Sequence, residues 1–90
     1  MPRVLVSLVT HNESRDTELL LPTLFAQTYR DFELVAIDNR SEDGTRGSLA
    51  AAKKLAPVPM EIVASPENLG FTGGHNVAIA KFEQLLLKLV

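Results

Sequence analysis

The chain has 90 residues, 46% of them hydrophobic, with a formal net charge of -2 and no cysteine. That is enough apolar material for one small core, so a compositionally disordered chain is excluded. Disulfide scaffolds and thiolate metal sites are excluded as well, and without a basic excess neither nucleic acid nor an anionic membrane is expected as a partner.

Val4-Leu5-Val6-Ser7-Leu8-Val9 is a nearly continuous valine-rich run without clean alternation. It reads as a strand buried on both faces, as in a parallel sheet. It lies too close to His11, Asn12 and Glu13 for a signal peptide and lacks a small-residue cleavage pattern. No apolar run approaches the roughly 20 residues of a membrane span. The polar segment Thr10 to Arg15 follows, and Ser14 or Asp16 is the expected cap of the next element. Leu19, Leu20, Thr23, Leu24 and Gln27 then recur at helical spacing up to about Thr28. Pro22 lies inside that pattern, which predicts a late start or a kink.

After Tyr29-Arg30-Asp31, the run Phe32 to Ile37 predicts a second strand ending at Asp38-Asn39. Arg40 to Gly44 is turn chemistry. Thr45 is the expected cap of a helix carrying Leu49, Ala52 and Leu55, which Pro57 and Pro59 stop. Met60 to Ala64 predicts a third, weaker strand. The stretch ENLGFTGGHN, residues 67–76, reads as a glycine-rich loop. A last helix is expected from about His75, carrying Val77, Ala78, Phe82, Leu85, Leu86 and Leu89. Alternation of strands and helices argues for parallel strands joined by crossovers in one α/β domain. No repeat, low-complexity tract or domain boundary is visible.

Ligands of open parallel sheets bind beyond the carboxyl ends of the strands. Three polar clusters fall there: Thr10, His11, Asn12 and Glu13 after the first strand; Asp38, Asn39 and Ser41 after the second; and Gly70, Gly73, Gly74 and Asn76 after the third. Their convergence on one edge is the sequence argument for a site. Each also has a plain reading. His11 is equally a solvated loop histidine or a ring that stacks on a base. Asp38 is a turn former or a hydrogen-bond acceptor for a ligand. The asparagines suit base edges and ordinary turns alike. The glycine stretch is neither a GxGxxG fingerprint nor a GK[ST] phosphate loop, and no G-x-S-x-G elbow is present. His11 and His75 have no defined ligand spacing, so no metal site is assigned.

Taken together, VSLVTHNE, LLPTLFAQTYRDFELVAIDNRSEDGT and SPENLGFTGGHNVAIA resemble the start of the family 2 glycosyltransferases, from about Arg3 to Ala80. ENLGFTGGHN further resembles the subset that contains rhamnosyltransferase-like enzymes of bacterial surface polysaccharide synthesis. The resemblance implies a partial GT-A, Rossmann-like three-layer α/β fold with about three parallel strands and flanking helices. It also implies a nucleotide diphosphate sugar as partner. Thr10 and His11, with Asn12 and Glu13 in the same turn, fall where the family contacts the base, and His11 stands where an aromatic is usual. Asp38 or Asn39 falls where the pyrimidine edge is read. The loop from Gly70 to Asn76, with Gly73 and Gly74, would bring its backbone beside the nucleotide, and Asn76 would help hold it.

The family's D-x-D metal motif and its catalytic base do not occur in the sequence, so no catalytic or metal-binding residue is assigned. A divalent cation, Mg or Mn, is expected only for the full-length enzyme. Residues 1–90 are accordingly expected to be the amino-terminal, nucleotide-binding part of a truncated domain. Catalysis by this piece alone is not expected, and its hold on a nucleotide sugar would be weak or absent. Self-association, first of all as a homodimer, is expected to cover sheet edge and apolar surface. The expected location is the cytoplasm, with membrane attachment of the full-length protein left open. Two rival readings exist: a complete, non-catalytic flavodoxin-like or receiver-like interaction module, and a degenerate relic that serves as a scaffold. The first would need about five strands, and three are visible.

Overall fold

The computed structural model describes residues 4–28 and 30–87, with side chains up to residue 84. The elements in chain order are β1 (Val4–Thr10), α1 (Ser14–Ala26), β2 (Phe32–Asn39), α2 (Thr45–Leu55), β3 (Met60–Ser65) and α3 (Gly70–Leu87). The three strands form one parallel sheet in the order β1-β2-β3. Thr10 pairs with Asp38, and Asn39 with Ser65, so all three strands end at the same edge.

The pleat sends alternate residues to opposite faces. Phe32, Leu34 and Ala36 of β2 face α1 and α2, where they pack with Leu21, Leu49, Val58 and Met60. Val35 and Ile37 face α3 and pack with Ala78, Val77, Val9 and Val63. The result is a three-layer α/β arrangement with two helices on one face and one on the other. β2 is buried along its whole length because it is covered on both faces and flanked on both edges. β1, expected to be buried on both faces, is only part-buried up to Val9, because it lies at the edge of the sheet. Each large side chain fully buried in β2, such as Phe32 or Leu34, removes apolar area worth roughly 1.5–3 kcal/mol.

The helices differ from expectation mainly at their starts. α1 begins at Ser14 and runs through Pro22, so the proline does not delay it. Neither Ser14 nor Asp16 is the cap residue; Glu13 is, and its side chain caps nothing. The first amides are served from another loop instead. Ser14 N donates to Asp43 Oδ2 at 3.3 Å, and Glu13 N donates to Thr45 Oγ1 at 3.1 Å. Thr45 does not cap α2 either, because Asp43 Oδ1 accepts both its amide (2.9 Å) and its hydroxyl. α2 ends as expected: Ala56, which precedes Pro57, is extended, as a residue before proline favours. Lys53 and Lys54 sit in its last turn, where cations suit the helix dipole.

The largest correction is α3. It starts at Gly70 and not near His75, so most of the glycine-rich stretch is helix. The physical reason lies in the sheet beneath. A Cβ on Gly74 would stand 2.7 Å from Val9 Cγ1 and 3.2 Å from Asn39 Nδ2. Glycine there lets the helix axis approach the sheet, and packing overrides the low helix propensity of the segment. The side chains of Leu85 and Leu86, and Tyr29 and Leu89 altogether, lie outside the described part.

Candidate functional site

The segment after β1 turns through Asn12, whose φ of 51° lies in the left-handed region that asparagine tolerates. This places its side chain against the loop after β2. Asn12 Oδ1 accepts from the Glu42 amide at 2.6 Å, while the Asn12 amide donates to Ser41 Oγ at 2.9 Å. Ser41 is held in turn by Asp38, whose Oδ1 accepts from its amide at 3.3 Å and also from its hydroxyl. Asp38 is wholly buried, and its other oxygen pairs with Arg46 Nε at 2.5 Å. Every oxygen of this carboxylate is therefore engaged within the protein. Asp43 completes the network through Thr45 and Ser14; the hydrogen bonds from the Thr45 hydroxyl and amide hold its carboxyl below the ordinary carboxylate range. These residues form a saturated scaffold that locks two loops together.

Asn39 has a different position. Its main-chain oxygen accepts from His11 Nδ1 at 2.6 Å. Its side-chain amide donates to the Gly70 carbonyl at 2.9 Å, and its Oδ1 accepts from the Leu69 amide at 3.4 Å. One buried asparagine thus ties the segment after β1 to the start of α3. The donation to Asn39 leaves His11 with its proton on Nδ1, so Nε2 is the acceptor for Asn12 Nδ2 at 3.4 Å. The imidazole is held by both nitrogens, and the residue is exposed.

Beside this knot lies a pocket of about 220 Å³, lined by Val9, Thr10, His11, Glu13, Asn39, Asn68, Gly70 and Phe71. It sits beyond the carboxyl ends of the strands, the position the sheet topology favours for a ligand. Of the residues singled out by sequence, Thr10, His11, Glu13, Asn39 and Gly70 come together here. Asn12 and Asp38 sit behind it in the scaffold. Gly74 faces inward against Val9, while a Cβ on Gly73 would meet Leu69 Cβ at 2.9 Å; neither is among the lining residues. Asn76 is exposed on α3 and is not among the lining residues. Only Gly70, with φ 74°, offers its backbone at the pocket, and there a side chain would strain the left-handed turn.

Sequence reading missed Val9, Asn68 and Phe71. Val9 looked only like core. Phe71 carried a usable signal: a large aromatic amid glycines and polar residues, with no apolar stripe to join.

The model of the family described as "Glycosyl transferase family 2" matches residues 6–84. The chain belongs to glycosyltransferase family 2. No curated protein matches it. Among solved structures, this family 2 chain is similar to the mannosyltransferase PcManGT from Pyrobaculum calidifontis, determined in complex with GDP-Man and Mn2+. The TM-score is 0.82 at 29% identity, over 89% of this chain and 24% of the mannosyltransferase. The three parallel strands and their helices match the corresponding part of a GT-A fold. The chain spans about a quarter of that relative's length. Among the described residues of this family 2 chain, no group of three or more His, Asp or Glu could hold a metal ion, so the cation implied by the family has no donor set there. Among them, too, no helix is long and apolar enough to cross a membrane.

Proposed function

We propose that this chain supplies the nucleotide-binding part of an enzyme that moves a sugar from a nucleotide diphosphate sugar to an acceptor hydroxyl. The observation that carries the proposal is the pocket at the carboxyl edge of the sheet, built from segments that follow all three strands. Family membership and likeness to a GDP-Man-bound mannosyltransferase support it. The chemistry of the lining is suited to a nucleoside. His11 offers an exposed ring, Asn68 offers a side-chain amide, and Gly70 offers bare backbone. Glu13 accepts hydrogen bonds from hydroxyl groups when ionised, which suits a ribose better than a diphosphate.

The family's D-x-D motif and catalytic base do not occur in the sequence, so the proposal is binding without transfer by this chain. Titration calorimetry with UDP, dTDP and GDP tests it. Binding of one of them, with or without manganese, is the expected result; the likeness of ENLGFTGGHN to rhamnosyltransferase-like sequences is the reason for including dTDP. No heat with any of the three at millimolar concentration contradicts the proposal.

The isolated chain is further proposed to self-associate. β1 is an edge strand in the order β1-β2-β3, and its Val4 is exposed, as are Leu19 and Leu20 of α1 and Ile79 of α3. An open parallel edge beside apolar surface favours pairing with a second chain. Sedimentation at working concentration should show a dimer; a monomer would count against it.

A further inference from the structure

Phe71 is the least explained side chain of the fold. It stands in the first turn of α3, is 75% exposed, and belongs to neither apolar cluster among the described residues. A phenylalanine left in water contributes nothing to the core. Its ring nevertheless has a neighbour. It meets His75 edge to face, with centroids 4.4 Å apart and planes at 72°. His75 is itself anchored to the sheet, because its Nδ1 shares a hydrogen bond of 2.5 Å with Ser7 Oγ of β1. A chain of contacts from β1 through His75 therefore sets the orientation of an exposed ring at the lip of the pocket.

The second ring at that pocket, His11, is fixed through both of its nitrogens by Asn39 and Asn12. Two oriented rings thus line one cavity, contributed by opposite ends of the chain. The cavity of about 220 Å³ is smaller than the roughly 300–1,000 Å³ of pockets that enclose a drug-sized ligand. It has room for a flat ring and part of its sugar, not for a whole nucleotide sugar. A flat aromatic ligand is what an open ring face at such a lip attracts, since stacking needs a π-face and little else.

We infer that Phe71 is the stacking platform for the nucleobase of the donor, with His75 and Ser7 as the residues that position it. The inference rests on the nucleotide-binding reading above and adds to it the residue that grips the base. Because stacking is tolerant of base identity, Phe71 governs affinity for any nucleobase, and the choice among bases falls to Asn68, whose side chain stands in the same lining.

The test compares the wild-type chain with Phe71→Ala, Phe71→Tyr and, as a control for loss of an exposed apolar side chain elsewhere, Leu55→Ala on α2. Each is titrated with the nucleoside diphosphate that the wild type binds and with inorganic pyrophosphate, which has no base. Circular dichroism melts monitor folding; Phe71 is exposed, so its replacement should leave the melt in place. Phe71→Ala is expected to weaken nucleoside diphosphate binding about 5- to 150-fold, the range that one stacked base is worth. Phe71→Tyr should restore most of that loss, Leu55→Ala should change nothing, and any pyrophosphate affinity should be equal in all four. Unchanged nucleotide affinity in Phe71→Ala overturns the inference while leaving the nucleotide pocket standing. An equal loss for pyrophosphate, or no rescue by tyrosine, overturns it as well. If the wild type binds no nucleotide, the pocket reading fails and this inference with it.

Discussion

The loops after β1 and β2 differ sharply from the segment that opens α3, although both are polar and both lie at the same sheet edge. In the first region Asn12, Asp38, Ser41, Asp43 and Thr45 spend their hydrogen bonds on one another and on the amides that start α1 and α2. In the second, Asn68, Gly70 and Phe71 line the pocket, Asn68 Oδ1 accepts from the Gly70 amide, and both Asn39 and the hydrogen bond between His75 and Ser7 tie the segment to the sheet. Polarity at a strand end therefore has two physical uses. It can neutralise the unpaired groups that helix starts leave behind, or it can stand at an open pocket within reach of a ligand. Which use applies is decided by neighbours in space, not by residue type.

The contrast is most severely tested at Asp38. Replacing it by alanine removes the acceptor for the Ser41 amide, the Ser41 hydroxyl and Arg46 Nε together. Hydrogen bonds to a buried charge are individually worth about 1.5–3 kcal/mol, while Arg46 is half-exposed and adds little as an ion pair. Asp38→Ala should lower unfolding stability by about 2–4 kcal/mol. Urea denaturation would show it as a reduced midpoint with an unchanged slope. A midpoint equal to wild type would mean that Asp38 is not scaffold.

Gly74→Ala probes the other side of the same idea. The new methyl would overlap the branched side chain of Val9 and crowd Asn39. Overpacking of this kind costs roughly 1–3 kcal/mol, and the better helix propensity of alanine returns up to about 1 kcal/mol. A net loss of about 1–2 kcal/mol is expected by the same denaturation measurement. A stabilised variant would show that the glycine is there for something other than close packing.

The smallest effect is expected far from the pocket. Glu33 of β2 lies on the α3 face near the amino end of the sheet, close to Glu61 of β3. Burial first, and then the charge of Glu61, push its carboxyl above the ordinary range. The folded state therefore holds this proton more tightly than the unfolded state does. The stabilisation from the protonated form is complete below the ordinary carboxylate pKa and is lost as pH rises through the raised folded value. At neutral pH the group is a mild liability. Glu33→Gln should be more stable than wild type at about pH 7, by less than about 1 kcal/mol, and the gap should close near about pH 4. Thermal melts at the two pH values measure the difference, and a gap that widens in acid would reverse the sign of the argument.

Much of the scaffold was legible in the sequence because its signals are local. A valine-rich run marked β1, a mostly apolar run marked β2, paired prolines stopped α2, and the alternation of elements implied a parallel sheet with its ligand edge. The start of α3 was not legible. Gly70, Gly73 and Gly74 have poor helix propensity, and only contact with Val9 and Asn39 explains why a helix forms there. The caps were misassigned for a related reason: the Asp43 carboxylate serves both its own helix and the amide of Ser14, from 29 residues away in sequence. Half of the predicted site residues line the pocket because strand ends converge whatever their side chains do. The split between Asp38, turned inward, and Asn39, at the pocket, follows from the pleat, which one residue reverses. Phe71 is legible only by its setting, a large aromatic amid glycines and polar residues.

The most direct test of the division between scaffold and pocket is amide chemical-shift mapping. Spectra of the labelled chain would be recorded during titration with the nucleoside diphosphate that binds best. The account predicts the largest changes at Thr10, His11, Asn39, Gly70 and Phe71, with Ser41 to Thr45 nearly still. Changes centred on Ser41 to Thr45, with Gly70 and Phe71 unmoved, would contradict it.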